Sequence, residues 1–346
     1  MATIDAILLE QAINAGLIRV QKHPGAALYI YNYTEKVQYE RTWNELTLIC
    51  RGLVLDAACN IVARPIPKFF NLGEAADEQL PGLPFEVYEK MDGSLGILYW
   101  NGANPCIATR GSFTSKQALV ATKLLHDRLQ GDTQILDRSK TYVFEIIYPE
   151  NRIIVDYGAE KELYLLAVID TETGIEVPDL KEYASLPFPL VPAYDGIHDI
   201  NALKELELKN KEGFVIRFAN GYRVKVKFEE YLRLHRIITQ ISNIEIWDHL
   251  RNQKSLEHLL EKVPDEFYHW VKTTIETLHH AYREIEAQSK KDFKILSSRK
   301  ETAAYYYTCQ YPGVLFKMMD NKNYESLIWR MIRPDYEKPF AQNMEA

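Results

Sequence analysis

Residues 85–100, FEVYEKMDGSLGILYW, consist of two apolar segments separated by a short polar break. Aromatic and aliphatic residues on both sides of the break predict two β-strands. Asp92 and Gly93 form an Asp-Gly pair, so this stretch taken alone predicts a hairpin corner. Lys90 comes two residues before the pair. It raises a second hypothesis, because a lysine in an apolar setting can act as a nucleophile.

Short β-rich segments continue on both sides of this stretch, from about residue 25 to residue 230. They are bounded by Gly, Asn, Asp or Pro, as strands usually are. One interval, residues 114–131, has the apolar spacing of a helix. After about residue 240 the pattern changes to amphipathic helices with short breaks. The sequence therefore predicts an α+β domain, assigned to residues 1–243, and a smaller all-helical domain, assigned to residues 244–346.

Composition excludes several classes of protein. The hydrophobic fraction is 47% and the charged fraction 26%, as in soluble globular domains. The four cysteines form no CxxC pair and no zinc spacing, which predicts reduced thiols and a cytoplasmic location. Neither a membrane span of roughly 20 apolar residues nor a secretory signal is expected. The net charge of −7 argues against indiscriminate coating of nucleic acid, but it is compatible with a local basic groove.

Six further stretches place charged residues beside apolar strands. Lys225 and Lys227 share one face of a strand, because side chains alternate with a period of two. Glu145 and Glu212 each lie in or next to an apolar strand, where exposure on a half-solvated sheet is the simplest interpretation. The stretches follow in this order: CRGLVLD (50–56), PKFFNLGE (67–74), ATRGSF (108–113), FEIIYPENRIIVDY (144–157), EGFVIRF (212–218) and VKVKFEEYLRLH (224–235).

This ordered set resembles the covalent nucleotidyltransferase superfamily of ATP-dependent ligases and capping enzymes, and within it the phage-type RNA ligase 1 family. The resemblance covers roughly residues 50–235. It implies a nucleotidyltransferase domain of antiparallel sheets with helices, in which Lys90 becomes covalently bound to AMP. Lys225 and Lys227 would place positive charge beside the triphosphate and stabilise the phosphoryl group in transit. The AMP would then pass to an RNA 5′-phosphate, and a 3′-hydroxyl would finally displace it.

The same resemblance implies roles for the residues around Lys90. Asp92 and Gly93 would shape the turn under the nucleotide. Glu89 would help to recognise adenine. Glu145 and Glu212 would bind Mg²⁺ or Mn²⁺, hard cations that take oxygen ligands. The remaining residues of the implied ATP pocket are Arg51, Lys68, Phe70, Arg110, Lys225, Lys227 and Tyr231.

The resemblance also implies the substrates. ATP would donate AMP, and the partner would be single-stranded or nicked RNA with 5′-phosphate and 3′-hydroxyl ends; repair of cleaved transfer RNA is one role in the family. No membrane partner is expected, and the absence of heptads predicts a monomer. Two alternatives stay open: a non-catalytic protein that binds RNA ends, and a ligase that acts on DNA ends. Structural roles also stay open for Phe70, as a core residue, and for Tyr231, as packing between domains.

Overall fold

The computed structural model describes residues 2–74, 80–239, 242–260 and 268–336. The chain divides into two compact units, Met1–Ile238 and Thr239–Ala346. Within the described residues every β-strand belongs to the first unit, whereas the second contains helices. This arrangement confirms the α+β class and the change of pattern near residue 240. The exact limits of 1–243 and 244–346 stay predictions.

The first unit is built mainly from short strands, many rich in β-branched and aromatic residues. The strands are β1 (Ile18–Lys22), β2 (Leu28–Tyr33), β3 (Arg51–Asp56), β4 (Ile61–Ala63), β5 (Phe70–Asn71), β6 (Phe85–Lys90), β7 (Ser94–Asn101), β8 (Asn104–Ala108), β9 (Lys140–Ile147), β10 (Glu162–Asp170), β11 (Ala193–Tyr194), β12 (Gly213–Phe218) and β13 (Arg223–Lys227). The helices are α1 (Ala6–Asn14), α2 (Glu35–Glu40), α3 (Glu45–Ile49), α4 (Lys116–Leu129), α5 (Ile200–Glu205) and α6 (Glu229–Thr239).

These strands form three sheets, with orders β1-β2-β3-β4, β10-β9-β7-β8 and β11-β6-β12-β13-β5. All neighbours are antiparallel except β13 and β5, which are parallel. Helix α4 begins after its N-cap, Ser115, and buries its apolar face against the second sheet, where Leu125 joins the core beside Tyr142 and Phe144. The Asn220-Gly221 pair, which is a hairpin signal, forms the turn between β12 and β13 at residues 219–222.

The hairpin that residues 85–100 alone predict is not formed. Strand β6 pairs with β11 and β12, whereas β7 pairs with β8 and β9 in another sheet. The connection crosses between sheets because Asp92, 2% exposed, is anchored to distant residues. One of its carboxylate oxygens accepts from the backbone N–H groups of Ile154 and Val155, and the other accepts from the Tyr231 hydroxyl, each at 2.8 Å.

The second unit, where described, is helical. Its core includes Ile285, Val314 and Ile328, which lie on three different helices and are buried against one another. None of the described helices combines the length and the apolar character needed to cross a membrane. The helices are α7 (Asn243–Arg251), α8 (Glu257–Leu260), α9 (Tyr268–Asp292), α10 (Arg299–Tyr306), α11 (Pro312–Met319) and α12 (Glu325–Met331).

Candidate active site

Residues of all three sheets line one cavity of about 780 Å³ in the first unit. Its size is in the range typical of small-molecule sites, and its walls are mainly polar. The structure brings five of the predicted site residues together there, although they are far apart in the sequence. They are Arg51, Lys90, Gly93, Arg110 and Glu145.

Lys90 ends β6 and its ammonium group is held by a buried carboxylate. Lys90 Nζ lies 2.8 Å from Glu212 Oε1, and Lys227 Nζ lies 3.2 Å from the same oxygen. Burial disfavours the charged form of Glu212, but the two lysines outweigh that effect and hold the pKa of Glu212 below its usual value. Two cationic side chains are therefore concentrated at one point beside the cavity.

Gly213 makes this pairing of lysines possible. In the third sheet it is the direct partner of Lys90 on β6 and of Lys227 on β13. A Cβ atom at Gly213 would lie 1.9 Å from the carbonyl oxygen of Val226, and its φ of +152° favours glycine. Gly213, which has no side chain, thus lies between the two lysines that form ion pairs with Glu212.

Lys225 lies two residues before Lys227 on β13, so both side chains point to one face, as predicted. It is 7% exposed and pairs with Val215 on one side and with Asn71 on the other. The third sheet therefore carries positive charge at two successive positions of this face, with Lys225 buried and Lys227 partly buried.

Glu145 lies on β9 and its carboxylate faces Gly93, whose N–H donates to Oε1 at 3.0 Å. A Cβ atom at Gly93 would be 2.5 Å from the carbonyl oxygen of Ile146, so only glycine allows this approach. Burial raises the pKa of Glu145 to about 7; the nearby Lys90 lowers it and Glu212 raises it. Near neutral pH this carboxylate therefore changes charge readily.

The raised pKa of Glu145 predicts a pH-dependent stability. Since the pKa is higher in the folded chain than the unfolded value of 4.5, the fold favours the protonated acid, and stability is lost as pH rises from 4.5 to about 7. Glu145→Gln keeps an acceptor for Gly93 but has no charge. In urea unfolding without nucleotide or metal, this variant should match the wild type at pH 5 and exceed it by about 2–3 kcal/mol at pH 8.

The exposed Glu150 supplies the control for this experiment, because Glu150→Gln removes a charge that water already solvates. Its stability relative to the wild type should not vary with pH. A constant difference between Glu145→Gln and the wild type over pH 5–8 would show that Glu145 has an ordinary pKa.

Asp92 and Tyr231 support the crossover between β6 and β7. The Asp92 N–H donates to the Tyr157 hydroxyl at 2.9 Å, in addition to the three bonds that its carboxylate accepts. Burial, reinforced by the charge of Glu212, raises the pKa of Asp92. Tyr231 is 4% exposed and donates to this carboxylate. Contact of either side chain with a nucleotide stays a prediction.

Glu89 lies on the opposite side of β6 from Lys90 and is 3% exposed. Its two oxygens lie 2.6 and 2.7 Å from Lys211 Nζ, and the Tyr194 hydroxyl donates to Oε2 at 3.1 Å. Glu89 also borders a second, largely apolar cavity of about 80 Å³ next to Lys90, to which Phe69 contributes. Its carboxylate is therefore held by fixed partners on the face of β6 that Lys90 does not share.

Lys68 is enclosed by aromatic rings. Its ammonium nitrogen lies 5.5 Å from the ring centres of Trp43 and Phe70 and 5.8 Å from that of Tyr33. Such contacts attract a cation to the ring face. The Arg110 guanidinium lies 5.5 Å from the same Tyr33 ring, so Tyr33 connects Lys68 to a residue of the large cavity.

Several residues of this region lacked a usable signal in the sequence. Trp43 and Tyr33 come from a helix-flanking loop and a strand end that match no motif, and Lys211 directly precedes Glu212 without belonging to the recognised pattern. Polar residues of the first sheet also line the cavity, among them Arg19 and Asn32. Only the strand register, which the sequence does not specify, brings them there.

Comparison with known proteins gives a consistent result. Residues 49–232 match the model of a family described as RNA ligase, of the T4 RNA ligase 1 type. A putative bifunctional polynucleotide kinase/RNA ligase of Autographa californica nuclear polyhedrosis virus is 28% identical over 65% of this chain and 36% of its own length. An RNA ligase of Rhodothermus phage RM378 is 24% identical over 92% of this chain and 87% of its own length. A putative RNA ligase of Thermovibrio ammonificans is 31% identical over 56% of this chain and 54% of its own length.

Solved structures include Naegleria gruberi RNA ligase with PPi, which is 18% identical, has a TM-score of 0.39, and aligns over 45% of this chain and 52% of its own. The chain spans about a third of the viral relative and about half of the Thermovibrio one. The family match covers more than half of the 346 residues and includes the five predicted residues of the cavity. On that match, the chain belongs to the RNA ligase family of the phage T4 RNA ligase 1 type.

Proposed function

We propose that this chain is an ATP-dependent RNA ligase that joins a 5′-phosphate end to a 3′-hydroxyl end through a lysyl-AMP intermediate. The observation that carries the proposal is the pairing of Lys90 and Lys227 on Glu212 at a polar cavity that also holds Arg51 and Arg110. A cluster of this kind is suited to an anionic substrate with a reacting phosphorus atom. Membership of the RNA ligase family supports the choice of reaction.

In the first step Lys90 Nζ attacks the α-phosphorus of ATP. A nitrogen–phosphorus bond forms, the bond to the β-phosphate oxygen breaks, and pyrophosphate leaves. Lys90 must first lose a proton, because only the neutral amine has a lone pair for the attack. Until then the Glu212 carboxylate, 2.8 Å away, holds the amine in place. Lys227 and Lys225 would stabilise the negative charge on the phosphates.

A divalent cation, Mg²⁺ or Mn²⁺, fits this site as a partner of ATP. No group of three or more His, Cys, Asp or Glu side chains within the described ranges is arranged to hold a metal alone. Glu145 nevertheless fits, because its carboxylate borders the cavity and magnesium is commonly held by one or two carboxylates together with substrate phosphates. Glu212 is a second candidate ligand, although it already contacts two lysines. When bound, the cation would neutralise charge on the transferring phosphoryl group.

The next two steps use RNA. An oxygen of the RNA 5′-phosphate attacks the phosphorus of Lys90-bound AMP, which frees Lys90 and leaves AMP on the RNA. A 3′-hydroxyl then attacks the 5′-phosphorus, forms the phosphodiester and releases AMP. We infer that the substrates are single-stranded or nicked RNA ends, including cleaved transfer RNA, and that the chain acts as a monomer in the cytoplasm. The four cysteines, all free, are consistent with a reducing compartment.

The adenine base has a candidate position beside Lys90. The walls of the smaller cavity are largely apolar and include Phe69 and Leu166. An apolar slot of this kind suits the faces of a flat base. Lys211 and Tyr194 hold the Glu89 carboxylate on the opposite side of β6, so a role of Glu89 in recognising adenine stays a prediction.

Incubation with ATP labelled at the α-phosphate, in the presence of Mg²⁺, tests this proposal. After denaturing electrophoresis the label should remain on the chain, and it should move to RNA when 5′-phosphorylated RNA is added. Formation of RNA circles from a single-stranded substrate would then report the complete reaction. A chain that binds RNA ends but never retains label would instead be the non-catalytic binding protein.

A further inference from the structure

Three polar side chains form a row across the first sheet. The register pairs Asn32 of β2 with Arg19 of β1 on one side and with Arg51 of β3 on the other. All three residues line the large cavity, to which Lys90 and Glu145 also contribute. The row therefore places an amide between two guanidinium groups on the wall of the candidate active site.

Asn32 has an unused hydrogen-bond acceptor. Its side chain is only 6% exposed, and within the described part of the chain no donor reaches its Oδ1 atom. Buried polar atoms are nearly always paired, because an unpaired one forfeits its bonds to water. Asn32 also lines the cavity, which makes a ligand bound there the candidate donor for this acceptor.

The neighbours of Asn32 restrict the chemistry of that ligand. Guanidinium groups are well matched to phosphate oxygens, so Arg19 and Arg51 favour a ligand with phosphates on both sides of the donor. Glu35 Oε1 lies 2.5 Å from a guanidinium nitrogen of Arg19 and holds that side chain at the cavity. A ribose in an RNA strand has this chemistry, because its 2′-hydroxyl can donate and lies between two phosphates. A deoxyribose does not, because it lacks the 2′-hydroxyl.

We propose that Asn32 Oδ1 accepts a hydrogen bond from a ribose 2′-hydroxyl of a nucleotide whose phosphates are bound by Arg19 and Arg51. This inference rests on the proposed function and deepens it, because it gives the site a means of distinguishing RNA from DNA. ATP and the RNA end both carry a ribose 2′-hydroxyl, but only a ribose of the RNA strand has phosphates on both sides. The RNA end is also favoured by the position of Arg19. Half of its side chain is exposed, so Arg19 lies at the outer end of the row, the end that an RNA strand would reach first.

Asn32→Leu removes the acceptor and keeps the branching and the number of side-chain heavy atoms, and Ile30→Val on the same strand is the control. Protein carrying labelled AMP is mixed with 5′-phosphorylated RNA or with DNA of the same sequence, and the transfer rates are compared. One lost hydrogen bond should lower the RNA to DNA rate ratio about fivefold to tenfold in Asn32→Leu. Ile30→Val should keep the wild-type ratio. Melting temperatures confirm that both variants fold.

A second arm compares labelling by ATP with labelling by 2′-deoxyATP. If this ratio falls in Asn32→Leu while the RNA to DNA ratio stays constant, the ribose site is supported but its hydroxyl belongs to ATP. If neither ratio changes in the folded variant, the inference is wrong.

Fluorescence anisotropy with 5′-phosphorylated RNA and DNA strands, without ATP, tests the ribose site separately from the proposed ligase activity. If Asn32→Leu binds RNA and DNA equally well in this assay, the ribose site is supported even when ATP never labels the chain. If ATP never labels the chain and Asn32→Leu keeps the wild-type preference for RNA, the ribose site is overturned.

Discussion

Lys90→Ala should abolish labelling of the chain by ATP and should still allow sealing of RNA that already carries AMP on its 5′ end. Lys90 Nζ is the atom that bonds to AMP in the first step, whereas the final step joins two RNA ends and needs no lysine nucleophile. Loss of a covalent nucleophile reduces the rate by at least about 10³-fold. Labelling with α-labelled ATP and gel analysis of pre-adenylylated RNA measure the two steps separately.

The exposed Lys123, on helix α4, provides the matched control, since its ammonium group forms a surface ion pair with Asp127. Lys123→Ala should keep both activities, because such pairs contribute little to stability. Removing Lys90 leaves Glu212 with Lys227, so the fold should persist. Equal labelling of Lys90→Ala and wild type would contradict the assignment. If sealing of pre-adenylylated RNA were also lost while the melting temperature stayed unchanged, Lys90 would have a role beyond the first step.

Gly213→Ala should be the most damaging of the small substitutions near the site. The added methyl group would lie 1.9 Å from the Val226 carbonyl oxygen and 2.8 Å from Lys227 Cα, both in the backbone of the neighbouring strand. Neither atom can move without breaking the β12–β13 ladder. We expect a loss of about 3–5 kcal/mol in the free energy of unfolding. Labelling should be lost as well, because Lys90 and Lys227 are both direct partners of Gly213.

Gly221→Ala separates this clash from backbone strain alone. Gly221 lies in the turn between the same two strands with φ of +82°, and a Cβ atom there would meet nothing within 4 Å. It should cost only about 1–2 kcal/mol, the penalty for a left-handed conformation, and should keep labelling. Urea unfolding of both variants gives the comparison. If the two substitutions cost the same, packing at Gly213 would not be the reason for glycine there.

The local part of the architecture could be predicted from the sequence, because it depends on residues close in the chain. The common face of Lys225 and Lys227 follows from strand periodicity, and the turn at Gly221 from an Asn-Gly pair. The course of the chain after Lys90 could not be predicted from the neighbouring residues. The Asp-Gly pair that suggests a hairpin instead lies in a connection between two sheets, because the hydrogen-bond partners of Asp92 come from residues 154–155 and 231.

The candidate site likewise has residues that could be predicted from the sequence and residues that could not. The ordered motifs identified Lys90, Arg51 and Glu145, and the structure places all three on one cavity. Asn32 matches no motif, because its position between two arginines results from a strand register that includes a bulge after Tyr31. The partners of Glu89 likewise come from distant segments. Such contacts depend on how strands are paired, and a single sequence does not specify the pairing.

Mass spectrometry of peptides from the ATP-treated chain tests the central claim most directly. The protein is incubated with ATP and Mg²⁺, digested under conditions that preserve the phosphoramide bond, and fragmented to locate any added AMP. We predict one AMP per modified chain, carried by Lys90 and removed when 5′-phosphorylated RNA is added before digestion. AMP located on another residue, or an unmodified Lys90 in a folded chain saturated with ATP, would contradict the account.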